Sequence, residues 1–441
     1  MNILRLISLA CLLSLVLMLR PLPAAELSWP CRNGPMHNGC AALRDARGVP
    51  AQWDESTGKN ISWKVDLEGL GLSTPAIGDG RLWLTAATAD GKQQFVYAIE
   101  TRTGRVIHHK LLFENASPEK LSNRVNTYAS PSCVLEHDAV YVHFGSYGTA
   151  RLDPRTAAVI WQRRDLPCRH YRGPGSSPIV WRNLLILTFD GVDQQYVTAL
   201  DKQDGKTVWR TDRSTNYHDL GPDGKPKTEG DIRKGYGTPA TMDVAGRTQV
   251  VSVGSRAAFG YDAETGREIW TVTHQDFNAA APPLVYGNLA IINTGSGGAN
   301  LFAVRVDEST HGNVTATHLE WNRTKGNSRL CAPALDRGRV WMLTAQGVLY
   351  AIDAKTGEQR GAVRIGGSFI ASPVIAGDSI YVCDEEDGAV TVVRTSLPPK
   401  IVAKNRLNEG MRASPAVADG AIYLRTFHSL YKIGGAEAVA K

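Results

Sequence analysis

Residues 168–178, "CRHYRGPGSSP", form the densest group of chemically active side chains in the sequence. A thiol, an imidazole, a phenol and two guanidinium groups lie within five residues, and a glycine-rich turn follows. Cys168 and His170 could supply two ligands to a metal ion, but a zinc site needs about three or four, and no second cluster accompanies them. Arg169 and Arg172 suit carboxylate, sulfate or phosphate groups, which guanidinium contacts in bidentate geometry. The segment therefore favours anion binding over metal binding.

Other catalytic signatures do not appear in the chain. There is no phosphate-binding "GxxxxGK[ST]", no "HExxH" and no "GxSxG". The acidic clusters at residues 383–388 and 221–231 are typical of a hairpin turn and a polar insertion, whereas Ca²⁺ takes about six or more oxygen ligands. The sequence predicts no catalytic residue and no metal site.

An internal repeat determines where these side chains lie. Eight segments share a small residue, a proline and an apolar pair, and over residues 61–433 they recur about every 47 residues. They begin at Ser73, Ala129, Ser176, Gly237, Ala281, Cys331, Ala371 and Ala413. Each copy continues with short apolar runs, often separated by Thr-Gly or Asp-Gly turns, and none has a helical period. Four short strands in each unit predict an all-β, eight-bladed β-propeller.

The two ends of the repeat complete one another. Residues 60–67, "NISWKVDL", resemble a fourth strand with no three strands before it, and the last copy ends at Ile433 without a fourth strand. We expect this N-terminal strand to pair with the last blade and close the ring, which removes exposed sheet edges. Tryptophans recur in the fourth strands, where we expect each to dock its blade on a neighbour. They are Trp63, Trp161, Trp209, Trp270 and Trp321.

The repeat has a recognisable relative. Segments such as "GYDAETGREIW" and "YAIDAKTGEQR" resemble the repeats of PQQ-type quinoprotein propellers and of the related outer-membrane assembly lipoprotein BamB. Together with "WPCRNGP", "VYVHFGSYGTARLD" and "LNEGMRASPAVADGAIYLR", they make the chain similar to secreted bacterial PQQ-binding-like β-propeller repeat proteins over nearly its whole length. The resemblance implies the fold and no particular reaction, since a fold does not specify a function.

The resemblance also raises the question of PQQ. Quinoprotein alcohol dehydrogenases hold PQQ against a disulfide of adjacent cysteines, with Ca²⁺ on Glu and Asn side chains and an Asp as general base. No two cysteines are adjacent in this sequence. We therefore expect no cofactor, and PQQ with Ca²⁺ on altered ligands is the alternative.

The junctions before each blade converge at the mouth of the channel in a propeller. Several carry Arg, Lys or Tyr, and the long polar insertion at residues 212–239 should overhang the same mouth. The candidate ligand-binding residues are Arg124, Asn126, Tyr128, Arg169, His170, Tyr171, Arg172, Arg233, Lys234, Tyr236, Arg329 and Arg412. They predict an anionic ligand, either an acidic or sulfated glycan or an acidic protein. The competing interpretation is that these arginines pair with carboxylates such as Asp231 and Glu409 and only stiffen the loops.

The first 25 residues have the layout of a secretory signal peptide, and their apolar run is shorter than the roughly 20 residues that span a bilayer. An arm at residues 26–60 and a tail at residues 434–441 flank the propeller. The formal charge of +6 falls to +4 when Arg5 and Arg20 leave with the signal, which is too small to indicate a nucleic-acid partner. Export to the periplasm or the extracellular space permits disulfides, and we predict one between Cys31 and Cys40; other pairings stay undecided.

These observations predict an exported, monomeric propeller that binds or scaffolds a protein or an anionic glycan. They favour a protein without catalytic machinery and leave enzymatic activity open. The alternative is a PQQ-dependent oxidoreductase with non-standard cofactor ligands.

Overall fold

The computed structural model describes residues 27–122 and 125–435. The predicted signal peptide and Arg124 lie outside the described residues. Eight separate sheets follow one another along the described chain, and each contains four antiparallel strands; one gains a fifth, parallel strand. Apolar clusters fill the spaces between neighbouring sheets. The protein is an all-β, eight-bladed propeller, as the repeat predicts.

The strands are numbered along the chain, and β1 (Ile61–Asp66) belongs to the last blade. Blade 1 comprises β2 (Ala76–Gly78), β3 (Arg81–Ala87), β4 (Gln93–Glu100) and β5 (Val106–Glu114). Blade 2 comprises β6 (Val134–Glu136), β7 (Ala139–His143), β8 (Thr149–Leu152) and β9 (Val159–Arg163). Blade 3 comprises β10 (Ile179–Trp181), β11 (Leu184–Asp190), β12 (Gln195–Asp201) and β13 (Thr207–Asp212). Blade 4 comprises β14 (Ala240–Val244), β15 (Arg247–Val253), β16 (Ala257–Asp262) and β17 (Glu268–Thr273).

Blade 5 comprises β18 (Leu284–Tyr286), β19 (Leu289–Asn293), β20 (Leu301–Arg305) and β22 (Leu319–Arg323), while β21 (Gly312–Asn313) pairs with blade 4. Blade 6 comprises β23 (Ala334–Asp336), β24 (Arg339–Leu343), β25 (Val348–Asp353) and β26 (Gln359–Arg364). Blade 7 comprises β27 (Val374–Ala376), β28 (Ser379–Cys383), β29 (Ala389–Arg394) and β30 (Lys400–Arg406). Blade 8 comprises β31 (Ala416–Ala418), β32 (Ala421–Arg425), β33 (Ser429–Gly434) and β1.

Within residues 27–122 and 125–435, helical structure is confined to two short segments, α1 (Leu43–Ala46) and a kinked 3-10 segment, Lys227–Arg233. No helix among the described residues is long and apolar enough to cross a membrane.

The ring closes where the repeat predicts. β1 pairs antiparallel with β33, from Ile61 opposite Ile433 to Asp66 opposite Ser429. The fourth strand of blade 8 therefore comes from the start of the propeller. With it, the last sheet has four strands like the others.

The Thr-Gly turns of the repeat share one local structure. In blade 4, Oδ1 of Asp262 accepts hydrogen bonds from the amides two and three residues later, at 3.1 and 2.9 Å, and Gly266 follows with φ of 73°. Asp153 caps the same turn in blade 2, where Ala157 takes the left-handed conformation with φ of 55°. The aspartate of the consensus is therefore a turn residue.

A hydroxyl side chain two residues before the innermost strand of a blade joins it to the preceding blade. Its oxygen accepts a hydrogen bond from the backbone amide of the equivalent residue in the preceding blade, at 2.9–3.0 Å. The acceptors are Ser132, Ser177, Thr238, Ser372 and Ser414. In blade 2 the acceptor lies two residues after the position that the repeat alignment indicates, because the inner strand starts later, at Val134.

Four of the five repeat tryptophans contact the next blade through a hydrogen bond from indole Nε1 to a backbone carbonyl at 3.0–3.2 Å. The pairs are Trp63 with Thr101, Trp161 with Lys202, Trp209 with Ala263 and Trp321 with Ala354. Trp270 instead donates to Oε1 of Gln249 in its own blade, at 2.8 Å. Blade 5 has no Thr-Gly turn at this place and lays β21 beside the strand of Trp270.

The N-terminal arm lies inside the ring. Trp29 forms a backbone bridge with Ile77 of blade 1, and the amide of Leu335 in blade 6 donates to the Asn38 carbonyl at 2.8 Å. Both partners lie in or at the innermost strands of their blades. The arm therefore uses the free inner edges of the blades as its binding surface.

The predicted disulfide between Cys31 and Cys40 is wrong. Both are free thiols: Sγ of Cys31 lies 3.3 Å from Nδ1 of His37, and Sγ of Cys40 donates to the Leu335 carbonyl at 3.2 Å. Cys31 packs in the apolar cluster of blades 2 and 3, and Cys40 packs against that of blades 6 and 7. The arm crosses the channel between them, so the short loop spacing does not bring the sulfur atoms together.

Candidate ligand site in the central channel

The arm forms the floor of a cavity on the propeller axis. Its backbone contacts blade 2, where the amide of Leu135 donates to the Pro30 carbonyl, and blade 8, where the amide of Gly420 donates to the Asp45 carbonyl. Between these contacts the side chain of Arg32 crosses to blade 5. The arm therefore runs from one side of the ring to the other beneath the blade junctions.

The cavity has a volume of about 350 Å³, and all eight blade junctions line it. One residue from each junction is Leu72, Asn126, Arg172, Tyr236, Asn278, Arg329, Ile370 and Arg412. This volume lies at the small end of the range of small-molecule sites, so it suits a single sugar unit or one acidic side chain.

Five of the predicted ligand-binding residues line this cavity, namely Asn126, Arg172, Tyr236, Arg329 and Arg412. Six others face elsewhere, namely Tyr128, Arg169, His170, Tyr171, Arg233 and Lys234. The sequence places all of them in the junctions. It does not specify which side chains turn towards the axis.

Two of the cavity arginines are held by carboxylates. Arg172 binds Asp231 at 3.1 Å, and Arg412 binds Glu385 at 2.6 Å. The competing interpretation thus applies to these two residues, and Asp231 is the partner that it names. Glu409 is not such a partner: it accepts hydrogen bonds from the Thr426 hydroxyl and the His428 amide.

The predicted residues outside the cavity are occupied by contacts with their own loops. The imidazole of His170 is buried and accepts a hydrogen bond from the Ser146 amide at 3.0 Å. The remaining contacts are Arg169 with Glu119, Arg233 with Asp219, Lys234 with Asp231, the Tyr128 hydroxyl with the Glu119 carbonyl, and the Tyr171 ring with the Lys234 ammonium. These side chains stiffen the rim and do not face a ligand on the axis.

Arg32 is the site residue that sequence reasoning missed. Nη1 donates to the Ala280 carbonyl at 3.0 Å, and the guanidinium forms no ion pair within the described residues. Burial lowers the pKa of Arg32 to about 10, which leaves it charged at neutral pH. A partly buried cation without a counter-ion is costly, so this floor favours an anionic group. The arm lies outside the repeat, and no register could have placed Arg32 here.

Further polar atoms in the cavity wall lack partners. The Tyr236 hydroxyl, Oδ1 of Asn278 and Nε of Arg172 are buried and form no hydrogen bond within the described part of the chain. Arg329, at the rim, is exposed. Because a buried polar group without a partner costs free energy, these atoms favour a ligand that both donates and accepts hydrogen bonds.

The donor set does not fit Ca²⁺-bound PQQ. Among the described residues, four arginines and no carboxylate line the cavity, and there is no cluster of three or more metal-binding side chains. Asp384 in the acidic segment accepts the amides of Glu386 and Asp387, which is the geometry of a turn. Cys168 and His170 are both buried, and Sγ of Cys168 lies 3.8 Å from Nδ1 of His170. Burial raises the pKa of the thiol well above its usual value.

A comparison with known families bears on this architecture. A family model described as outer membrane protein assembly factor BamB matches residues 21–183, 193–314 and 303–397. These matches cover most of the sequence. The chain belongs to the BamB family. A search of curated proteins gave no match.

Solved structures similar to this BamB-family propeller share its fold at low identity. BamB from Moraxella catarrhalis has a TM-score of 0.55 and 14% identity, covering 85% of this chain and 99% of that chain. Quinohemoprotein alcohol dehydrogenase from Comamonas testosteroni has a TM-score of 0.64 and 13% identity, covering 93% of this chain and 81% of that chain. The computationally designed Ika8 protein has a TM-score of 0.56 and 10% identity, covering 83% of this chain and 98% of that chain. At these identities the likeness shows the fold and transfers no reaction or partner.

Proposed function

We propose that this BamB-family propeller is an exported, non-catalytic binding protein that takes an acidic sugar unit of a glycan into its channel cavity. The partly buried guanidinium of Arg32, which has no carboxylate partner among the described residues, carries the proposal. Export is supported by the apolar leader of the sequence and by the family's description as an outer membrane assembly factor.

The wall chemistry favours an acidic sugar over an acidic side chain of a protein. Arg32 and the Tyr236 hydroxyl can donate hydrogen bonds to a carboxylate, whereas Oδ1 of Asn278 needs a donor. A uronic-acid ring carries the carboxylate and hydroxyl donors in one unit. An aspartate or glutamate side chain has no hydroxyl to offer.

The test is isothermal titration of the protein with trigalacturonate, neutral galactotriose and hexaglutamate. We expect trigalacturonate to bind, with affinity that falls as salt rises. Arg32→Gln should weaken it about tenfold or more, because a hydrogen bond to a charged group is lost. Arg47→Gln, an exposed change on the same arm, should have no effect. Arg329→Gln at the exposed rim provides a second variant that does not disturb the floor.

Equal affinity in wild type and Arg32→Gln would contradict the proposal, and so would binding of hexaglutamate alone. Dye reduction by the purified protein with PQQ, Ca²⁺ and an alcohol or sugar would contradict its non-catalytic part and favour the oxidoreductase.

A further inference from the structure

A second cleft, with a volume of about 580 Å³, lies between blade 4 and the insertion that precedes it. It shares no lining residue with the channel cavity. Its base is formed by β16 and β17, and residues 214–218 of the insertion form one wall. The insertion therefore builds a separate concave surface in addition to reaching the channel mouth.

Two ion pairs hold this wall at its ends. Arg213, immediately before the wall, binds Asp190 at 2.5 and 2.7 Å, and both side chains are fully buried. Asp219, immediately after it, binds Arg233 at 2.6 and 2.9 Å. A wall fixed at both ends loses little conformational freedom when a ligand binds, which favours recognition.

Three buried polar atoms of the lining residues form no hydrogen bond of normal length and angle within the described residues, namely Nε2 of His274 and the hydroxyls of Thr215 and Tyr217, which lie near each other. Nδ1 of His274 accepts a hydrogen bond from the Asp276 amide at 3.2 Å, so Nε2 carries the proton in the neutral ring. Burial lowers the pKa of His274 to about 4, which keeps the ring neutral at pH 7. The cleft thus offers one N–H donor and two hydroxyls that donate or accept.

Among the described residues, the lining carries no carboxylate and one cation, Arg256, whose contacts are exposed to solvent. Nη1 of Arg256 donates to the backbone carbonyl and Oε1 of Gln275, at 2.6 and 2.9 Å. The remaining polar groups are hydroxyls, amides and imidazoles, with Asn216 and Gln275 at the opening. Because the one guanidinium is solvated, the lining holds no desolvated charge that would select a charged ligand.

A peptide is disfavoured because the adjoining sheet edge is already paired. β17 pairs with β21, and beyond it the Thr273 amide donates to the Thr315 hydroxyl at 2.9 Å. An extended peptide therefore cannot add a strand to this edge of blade 4. Ala257 and Phe259 at the base are buried and leave no open apolar pocket for a side chain.

We propose that this cleft is a binding site for a neutral saccharide, whose hydroxyls would pair with Thr215, Tyr217 and His274. A sugar hydroxyl both donates and accepts, which matches two hydroxyls and one N–H donor. The proposal is independent of the acidic site in the channel.

The test is isothermal titration with maltotriose, cellotriose and triacetylchitotriose at concentrations up to the millimolar range. At least one should bind with saturation, and Tyr217→Phe, which removes a single hydroxyl, should weaken it about three- to tenfold. The matched control Tyr286→Phe lies on blade 5 outside the cleft and should bind as wild type does. Arg32→Gln should also leave this binding unchanged.

A second readout does not depend on a variant. The ring N–H of His274 should exchange with solvent more slowly in nitrogen-detected NMR when the bound trisaccharide is present. Absence of saturable binding by all three sugars would overturn the proposal. If Tyr217→Phe binds the trisaccharide as tightly as wild type, or if Arg32→Gln loses that binding, the sugar does not bind in this cleft.

Discussion

Nη1 of Arg32 donates a hydrogen bond to the carbonyl of Ala280 at 3.0 Å, across 248 residues of sequence. This contact joins the N-terminal arm to the junction before blade 5. It turns a segment outside the repeat into the floor of the channel cavity. The chemistry of the cavity therefore depends on the arm as much as on the blades.

The arm should contribute strongly to stability through Trp29, whose side chain is fully buried. Trp29→Ala should lower the free energy of unfolding by about 3–5 kcal/mol, because it leaves a large cavity. Met36→Ala changes an arm side chain that is 70% exposed and should alter stability little. Guanidinium denaturation of both variants checks this, and equal stabilities would mean that the arm is not docked in the ring.

The contact of Trp209 with the next blade should be measurable. Trp209→Phe keeps an aromatic ring but removes the hydrogen bond to the Ala263 carbonyl and part of the packing on Gly266. We expect a loss of about 1–3 kcal/mol, since a buried carbonyl is left unpaired. Trp181→Phe, on an inner strand, has no such bond and is the control. If both changes cost the same in thermal denaturation, the indole N–H does not join the blades.

Buried histidines should make stability depend on pH. Burial, followed by the charge of His170, lowers the pKa of His143 to about 3 from its ordinary 6.5. Below pH 6.5 the unfolded chain takes up a proton that the folded chain does not, so the stabilisation is complete above pH 6.5. It is lost as pH falls from 6.5 towards 3, by up to about 1.4 kcal/mol per pH unit.

His143→Gln should therefore flatten the fall in stability between pH 7 and pH 5 in urea denaturation. Met36→Ala changes an exposed side chain that does not titrate and should leave the slope unchanged. Identical slopes in wild type and His143→Gln would show that His143 is protonated in the folded protein.

The thiols of the arm should differ in reactivity. Burial raises the pKa of Cys31, but the charge of His37 and hydrogen bonds from His37 and nearby amides lower it by more, so the pKa lies below its usual value. Burial raises the pKa of Cys40 to about 12. His37→Gln should slow the labelling of Cys31 by iodoacetamide in the native protein and leave that of Cys40 unchanged, as measured by peptide mass spectrometry. Recovery of a Cys31–Cys40 disulfide peptide would contradict the free-thiol structure.

The repeat made the propeller predictable. Proline after a small residue marks all eight blades, and the Asp-led turn and the fourth-strand tryptophan recur in several of them, so the number of blades and the closure of the ring follow from counting the copies. The repeat alignment predicted individual contacts wrongly where a copy departs from the pattern. Blade 2 starts two residues late at Ser132, and Trp270 turns to its own blade because the next blade lacks the turn it would contact.

The candidate site was predictable only in outline. The junction residues could be named from sequence because each precedes a recognisable strand. Whether Arg172 faces the axis or Arg233 pairs with Asp219 depends on side-chain directions that junction sequence does not encode. The Cys31–Cys40 prediction failed for a related reason, since loop spacing says nothing about the path of the arm across the channel.

The sequence by itself determined the all-β architecture, the eight blades and the strand that closes them, because these depend on patterns within about 50 residues. Only the tertiary structure decided that Arg32 faces the junctions of all eight blades, and that residues 214–218 wall a second cleft against blade 4. Closing a ring brings together residues that lie hundreds of positions apart. Their contacts are set by the geometry of the whole circle and cannot be read from any one repeat.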